Sequence, residues 1–534
     1  MRNTESLVQL GYLPLAGILL QRGPPTRTAP RDSSLFPPPP VPILATAASA
    51  HFRCAGCWMQ RTVAVVGGGI SGLTACYQLA RSPNAPKIIL LEGSGRLGGW
   101  LHSTRTEDGA VFEHGPRGIR PAGTVGKNTL LMVSELGLDA DVLPVPGDHP
   151  ASKNRYLYVS GALHRLPSSI GGVLRTVPPF TRPLLWSGLH ELAAPRGTQL
   201  DETIHSFVSR RFGKELADIA IDSLCRGVFA GDCRALSVRS CFPALFEAER
   251  RRRSVILGMA LGGGKGPALD SALSRRARDE CWSQWSLRGG METLPEALQD
   301  FLRRHGVEMH CHARLQRLER TAAECWQITL EDGSVRADHV ISAIPARALA
   351  VLLPSWAEPL AQELRGIEAV SVGVVNLQYN GATLPITGFG HLVPSFEDRS
   401  LLGIVYDSIA FPEQNGTSGP SVRLTVMLGG AWFEEGFGDP EMVPEARLLS
   451  RAKEAVRAHL GLAAEPSCTI VKVLKACIPQ YTLGHWQRTE TISRYLEREG
   501  LPLSLIGASY QGVSVNDCIY NAKMAVTRLL DQAQ

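Results

Sequence analysis

No apolar run in the 534-residue sequence approaches the roughly 18 to 20 residues that cross a bilayer as a helix. The longest early candidate, YLPLAGILL from Tyr12, is too short and carries a proline. A spanning helix is therefore not expected, and at most a surface contact with a membrane is left. Aromatic residues are sparse at 6%, and the 12 cysteines are scattered, so a disulfide framework is not expected and a reducing compartment fits better. Cys54 and Cys57 form a CxxC with no second pair at a zinc-like spacing, and the 14 histidines show no HExxH, so no metal is expected. A formal charge of +5 is slight for this length and does not argue for nucleic acid.

Acids are scarce in one place. The first 58 residues hold Arg2, Arg22, Arg27, Arg31 and Arg53 against only Glu5 and Asp32, together with the block FPPPP. Polyproline joins neither a helix nor a central strand, so residues 1–58 are expected to form a disordered extension or a targeting segment. Few acids and many Arg, Ser and Thr suit a transit peptide, although the prolines spoil a long amphipathic helix. An upstream extension without a role, the functional chain starting at Met59, fits equally.

Glycine carries the first functional signal. VAVVGGGISGLTACYQLA, residues 63–80, is an apolar strand that turns on glycines into a helix. Gly67, Gly69 and Gly72 are spaced as G-x-G-x-x-G, with Gly68, Ile70 and Ser71 between them. The first glycine allows a tight turn, the second lets backbone approach a pyrophosphate, and the third lets helix and strand pack closely. Glu92 closes the next apolar run 20 residues after Gly72, where an acid binds ribose hydroxyls. A dinucleotide site follows, against the bland alternative of a glycine turn that merely packs. Proline-interrupted helical sequence fills about 150–280, and alternating apolar runs from about 370 to 430 read as an antiparallel sheet.

EGSGRLGGW, with Gly93, Arg96, Gly99 and Trp100, resembles the second glycine motif of the amine-oxidase superfamily of flavoproteins. Gly115, Pro116, Arg117 and Gly118 stand where those proteins approach the flavin ring, and GASYQGVSVND, with Ala508, Val513, Ser514 and Val515, resembles their closing motif. Together with HGPRGIRPAG, DSLCRGVFAGD, WSQWSLRGGMETLP, HVISAIPA, GFGHLVPS, GIVYDS and IPQYTLGHW, these segments make the chain from Met59 onward similar to the protoporphyrinogen oxidases of the mammalian mitochondrial type. The resemblance implies non-covalent FAD, with Leu315 also among the cofactor-binding residues. It implies oxidation of protoporphyrinogen IX by dioxygen with release of hydrogen peroxide, the penultimate step of haem biosynthesis. It also implies a peripheral homodimer on the mitochondrial inner membrane and a contact with ferrochelatase. The implied fold is α/β: a Rossmann-like FAD-binding domain assembled from discontinuous segments, an antiparallel-sheet substrate domain and a helical membrane-docking insertion. Its expected parts are 59–148, 284–345 and 486–534 for FAD, 149–283 for the insertion and 346–485 for the substrate sheet.

By the same resemblance Arg155 pairs with a propionate, and Phe389 and Leu392 sandwich pyrrole rings with Gly390 leaving room between them. Gly227 forms the opposite wall, Val405 lines the slot, and Arg117 is the candidate catalytic residue near flavin and substrate. Chemistry supports such a slot, since a flat apolar dicarboxylate wants apolar walls and a guanidinium at the rim. Without the resemblance, Phe389 reads equally as sheet core and Arg155 as a solvated residue. An amine oxidase of the same superfamily and a non-catalytic scaffold of the GDP-dissociation-inhibitor type are the alternatives. SSIGGVLRTVPPFTRPLLWSGL, with Arg175 and Arg182, is the candidate membrane-docking surface, comparably readable as inward-packed core. The run Arg250 to Arg253 reads as a solvated helix face, an anionic-lipid contact being the sharper reading. Ser509 misses the nucleophile-elbow spacing, GGGKG around Lys265 is no P-loop, and Trp282 and Trp285 read as core. No acid–base residue stands out.

Overall fold

The computed structural model describes residues 61–261, 269–417 and 419–532, so the expectations for residues 1–58, Cys54, Cys57, Met59 and Lys265 lie outside the described residues. Five parallel strands lie in the order Leu503–Leu505, His339–Ser342, Thr62–Val66, Lys87–Leu91, Glu308–His310. Thr62–Val66 is buried beyond its first residue because both faces of the sheet are covered. Val63 and Val65 face the helices Ile70–Ala80, Thr293–Arg304 and Val515–Asp531 through Leu73, Leu298 and Ile519. Ala64 and Val66 face the opposite way, onto Leu349, Leu360 and Trp326. Parallel neighbours need crossovers, and the long segments inserted there divide this unit along the chain.

A second sheet has seven strands in the order Cys468–Pro479, Ala369–Asn380, Ser421–Gly430, Leu401–Val405, Gly390–Leu392, Tyr156–Val159, Ala162–Arg165. It is antiparallel except where Gly390–Leu392 meets Tyr156–Val159. Val375, Leu377, Leu424 and Val426 pack one face against Leu448 and Val456 of the helix Glu445–Leu460. The other face turns Asn376 and Thr425 toward the parallel-sheet unit.

The strands Tyr156–Val159 and Ala162–Arg165 correct the expected boundaries, because they complete the large sheet rather than belong to the 149–283 insertion. Trp282–Leu287 pairs with Val142–Pro146 across the border expected between 283 and 284. The helices Ala346–Leu352 and Glu358–Arg365, assigned to the 346–485 substrate unit, pack on the parallel sheet. Tyr156–Val159 meets Gly390–Leu392 and Trp282–Leu287 meets Val142–Pro146 across long stretches of sequence, and local periodicity carries no information about such partners.

The helical insertion runs from Ile170–Leu174 to Val255–Leu261 around Phe207, Phe212, Leu224, Phe229 and Phe246, whereas the helix Ala272–Asp279, also expected in it, packs through Leu273 and Ala277 on the parallel-sheet core. A fully buried ion pair, Arg211 with Glu191, ties it together; Glu191 also accepts from Ser254 Oγ at 2.7 Å and from the Val255 amide. The Arg250 side chain bonds the Gln199 carbonyl and covers the Phe246 ring, while Arg251 pairs with Glu247. The arginine run is thus a helix end with local partners, and Arg253 turns the chain at φ 61°. Trp282 and Trp285 are core, as expected.

Candidate functional site

The glycine turn is built as a cradle. The Gly67 amide bonds the Leu91 carbonyl, and the Gly68 amide donates to Glu92 Oε2 at 2.7 Å, so the acid at the strand end also locks the turn. Glu92 Oε1 accepts from the Ser94 amide, the Ala313 amide reaches the Glu92 carbonyl, and a Cβ at Gly93 would lie 3.9 Å from Arg314 Cγ, while Leu315 opens the next strand and packs on the cluster of Ala64 and Val66. A Cβ at Gly72 would lie 1.9 Å from the Gly67 carbonyl oxygen, so this glycine is required by helix-on-turn packing. At Gly69 a Cβ would meet only Gly99 Cα at 3.8 Å: the space above it is open. That opening faces the first turn of Ile70–Ala80, which has no side-chain cap and no acid. Unsatisfied amides and the helix dipole favour an anion there. Gly99 and Gly98 close the cradle, Gly98 bridging Gly69 and donating to the Gly68 carbonyl at 2.8 Å.

The closing motif joins the same region. Ile506 N bonds the Ser342 carbonyl, and a Cβ at Gly507 would lie 3.8 Å from Ser71 Oγ. Its helix Val515–Asp531, however, is not an open anion site: Ser514 and Asp517 cap it reciprocally, and burial raises the Asp517 carboxyl. The first turn of this helix is thus capped from within the chain. Arg96 clamps the loop: its guanidinium bonds the carbonyls of Leu97, Gly99 and Leu101 and pairs with Glu292. Trp100 is exposed, and Gly115 is required because a Cβ would lie 2.2 Å from the Trp100 carbonyl oxygen. Ala508 bonds Tyr481 through its carbonyl, and Val513 packs on the helical insertion. Near Gly118, Gln284 Nε2 is buried without a partner among the described residues, as is Nδ1 of His114. Buried orphans of this kind suit a polar group that the protein itself does not supply.

The substrate-side residues do meet. Gly390 pairs with Val405, Leu392 pairs with Gly403, and the Tyr406 amide bonds the Phe389 carbonyl at 2.9 Å. Arg155 precedes the adjoining strand, its guanidinium 5.6 Å from the Phe389 ring centroid. Two expectations change. Gly390 is a glycine because its φ is 148° and a Cβ would lie 2.3 Å from the Ile404 carbonyl oxygen, not to leave room between rings. Gly227 does not stand across an open slot from Leu392 but touches it, a Cβ there falling 2.9 Å from Leu392 Cδ2. Behind this wall His391 bridges Tyr406 OH at 2.7 Å and His459 Nδ1 at 2.9 Å, with Tyr158 stacked on His459. Burial holds His391 well below the usual imidazole range and brings His459 down to about 4, so the chain is neutral.

Arg117 is buried and donates to Asp407 at 2.9 Å, so it is a committed charge rather than a free catalytic group. Residues not anticipated from the sequence surround it: Glu113, Asn376, Asp407, Arg423 and Thr425. Their only sequence signal is polarity inside apolar runs, as in AVFEHGP and GIVYDS. Burial pushes the Glu113 carboxyl up to about 7, against hydrogen bonds from the Met291 amide and Ser103 and the attraction of Arg117. A carboxyl raised in the folded state binds its proton more tightly there than in the unfolded chain. Its destabilising effect is therefore absent below about 4.5, grows with pH and is complete above about 7. Glu113→Gln should gain stability relative to the parent between pH 4.5 and 8, by up to about 3 kcal/mol. Urea unfolding of both proteins at the two pH values measures it; an unchanged difference would remove Glu113 as the source.

An uncapped helix start above Gly69, with an acid at the end of the neighbouring strand, is the geometry of a dinucleotide-binding unit. The family model described as flavin containing amine oxidoreductase matches residues 70–530. Bovine protoporphyrinogen oxidase is 58% identical over 472 residues, covering 88% of this chain and 99% of the bovine protein. The human protein of that name is 57% identical with the same coverage. A solved structure from Exiguobacterium sp. 255-15 matches with TM-score 0.72 at 23% identity, covering 88% of this chain and 99% of that one, which shows the shared fold. The chain belongs to the flavin-containing amine oxidoreductases and, within them, to the protoporphyrinogen oxidase family, and its cofactor is FAD. The scaffold alternative falls with that assignment.

Proposed function

We propose that the protein oxidises protoporphyrinogen IX to protoporphyrin IX at the expense of dioxygen, with hydrogen peroxide released. The observation that carries the reading is 58% identity along nearly the whole of a protoporphyrinogen oxidase. FAD, held without a covalent bond, supplies hydride acceptance and reoxidation by dioxygen. The chain's residues bind and orient. Gly69 and the open turn of Ile70–Ala80 receive the diphosphate, Glu92 the ribose. Phe389, Leu392 and Val405 offer an apolar wall, and Arg155 at its edge holds a propionate. Purified protein should be yellow and should turn protoporphyrinogen IX fluorescent in air with roughly three peroxides per porphyrin, one for each two-electron oxidation. A yellow protein that oxidised amines instead would favour the amine-oxidase reading.

We further propose that the insertion docks on the mitochondrial inner membrane. Among the described residues no helix is long and apolar enough to cross a membrane. The helix Leu184–Ala193 nevertheless exposes Leu185, Trp186, Leu189 and Leu192, with Trp186 61% exposed, and Leu257 and Leu261 are exposed beside it. Such a face suits shallow interfacial contact. Trp186→Glu should weaken sedimentation with cardiolipin-containing vesicles while leaving turnover in detergent unchanged. Equal sedimentation would place the contact elsewhere. A homodimer and a contact with ferrochelatase complete the proposed setting.

A further inference from the structure

Residues 113–117 and the large sheet close a ring of buried hydrogen bonds that neither could make alone. Arg117 Nη1 donates to Asp407 Oδ1 at 2.9 Å. The Thr425 hydroxyl shares its proton between Asp407 Oδ2 and Asn376 Oδ1, each 2.7 Å away. Asn376 Nδ2 then donates to the Glu113 carbonyl at 3.2 Å, returning to the segment that carries Arg117. Every one of these residues is less than a tenth exposed.

The ring reaches the substrate wall from two sides. Asp407 follows Tyr406, whose amide bonds the Phe389 carbonyl, and Thr425 is the register partner of Val405. Arg423 crosses the same boundary, bonding the carbonyls of Val111 and Phe411. A buried ion pair costs less when its remaining lone pairs are satisfied, and Thr425 does this for Oδ2 of Asp407. Asn376 has no such duty toward the ion pair. Its amide is directed at a backbone carbonyl of the other unit, which fixes relative position.

We propose that Asp407, Thr425 and Asn376 are positioning residues that join the cofactor-side segment 113–117 to the wall around Phe389 and Val405, so that FAD binding orders the wall. The identity of what that wall receives rests on the function proposed above. Coupling of two sites through one element is reciprocal and commonly amounts to about 5- to 150-fold in affinity.

Asp407→Asn would leave the Arg117 charge buried with a weaker partner and could unfold the protein, so Thr425→Val is the decisive variant. It removes the shared proton, keeps the ion pair and nearly keeps the volume; Thr425→Ser restores the hydroxyl. Hydrogen exchange of peptides spanning 389–392 and 403–406 is compared without and with FAD, and protoporphyrin IX binding is titrated in both states. In the parent and in Thr425→Ser, FAD should slow exchange in both peptides and tighten protoporphyrin binding by about tenfold. In Thr425→Val both effects should vanish while flavin is still bound. If Thr425→Val melts earlier yet keeps the full FAD-induced protection, the ring is merely structural and the proposal fails. A parent that shows the protection but binds no protoporphyrin would sink the substrate reading and leave the coupling standing.

Discussion

Gly69→Val should purify as a folded, colourless protein. Only Gly99 Cα, at 3.8 Å, lies near a Cβ at this position, and the residue's φ of −71° and ψ of −179° are open to any amino acid. The cost to the apoprotein is that of a poor N-cap, about 1 kcal/mol. The valine methyls would instead fill the volume proposed for the diphosphate at the uncapped helix. Losing the charge-assisted bonds of a whole diphosphate should weaken FAD at least about 100-fold. Gly72→Ala is the contrasting case. Its Cβ would lie 1.9 Å from a backbone oxygen, so the apoprotein itself should be destabilised. Flavin per polypeptide and circular-dichroism melting separate the two outcomes. Full flavin content in Gly69→Val would make the turn a packing device and nothing more.

Arg155→Ala should raise KM for protoporphyrinogen IX by about 10- to 150-fold with little change in kcat, the worth of a partly buried charge-assisted contact. The propionate lies far from the reacting bridge carbon, so its contact is nearly equal in ground and transition states. The structure adds a second consequence. Because the guanidinium rests 5.6 Å from the Phe389 ring centroid, Phe389→Ala loosens Arg155 as well as the apolar wall. That variant should therefore show both a lower kcat and a higher KM, and the two substitutions should be non-additive. A porphyrinogen with esterified propionates is the control. Should Arg155→Ala be as defective on the ester as on the diacid, the arginine supports the wall instead of reading the carboxylate.

The cofactor half of the protein was legible as sequence because its determinants are local. A glycine spacing, an apolar strand and an acid at a set distance act within one turn and its neighbours, and Gly67, Gly69, Gly72 and Glu92 stand as that pattern requires. Legibility ended where a residue's role depends on a partner far along the chain. The motifs that carry Arg96 and Ser514 do not tell that a loop's carbonyls and Asp517 engage these side chains. The resemblance makes Gly390 a spacer between rings and Gly227 the opposite wall, yet the backbone of the neighbouring strand crowds the first and the side chain of Leu392 touches the second. Glu113, Asn376, Asp407 and Thr425 were silent, since a polar letter inside an apolar run does not say which other polar letter it will meet.

The sequence by itself determined that a strand–glycine–helix turn binds a dinucleotide, and its longer motifs identified the flavoprotein family. Only the tertiary structure decided that Tyr156–Val159 joins the substrate sheet, that Arg117 is neutralised by Asp407, and which of two helix N-termini stays open to an anion. The physical reason is range. Turn geometry and helix periodicity are written in residues a few positions apart, whereas buried charge must be paired, and its partner is chosen by the packing of segments 290 residues distant.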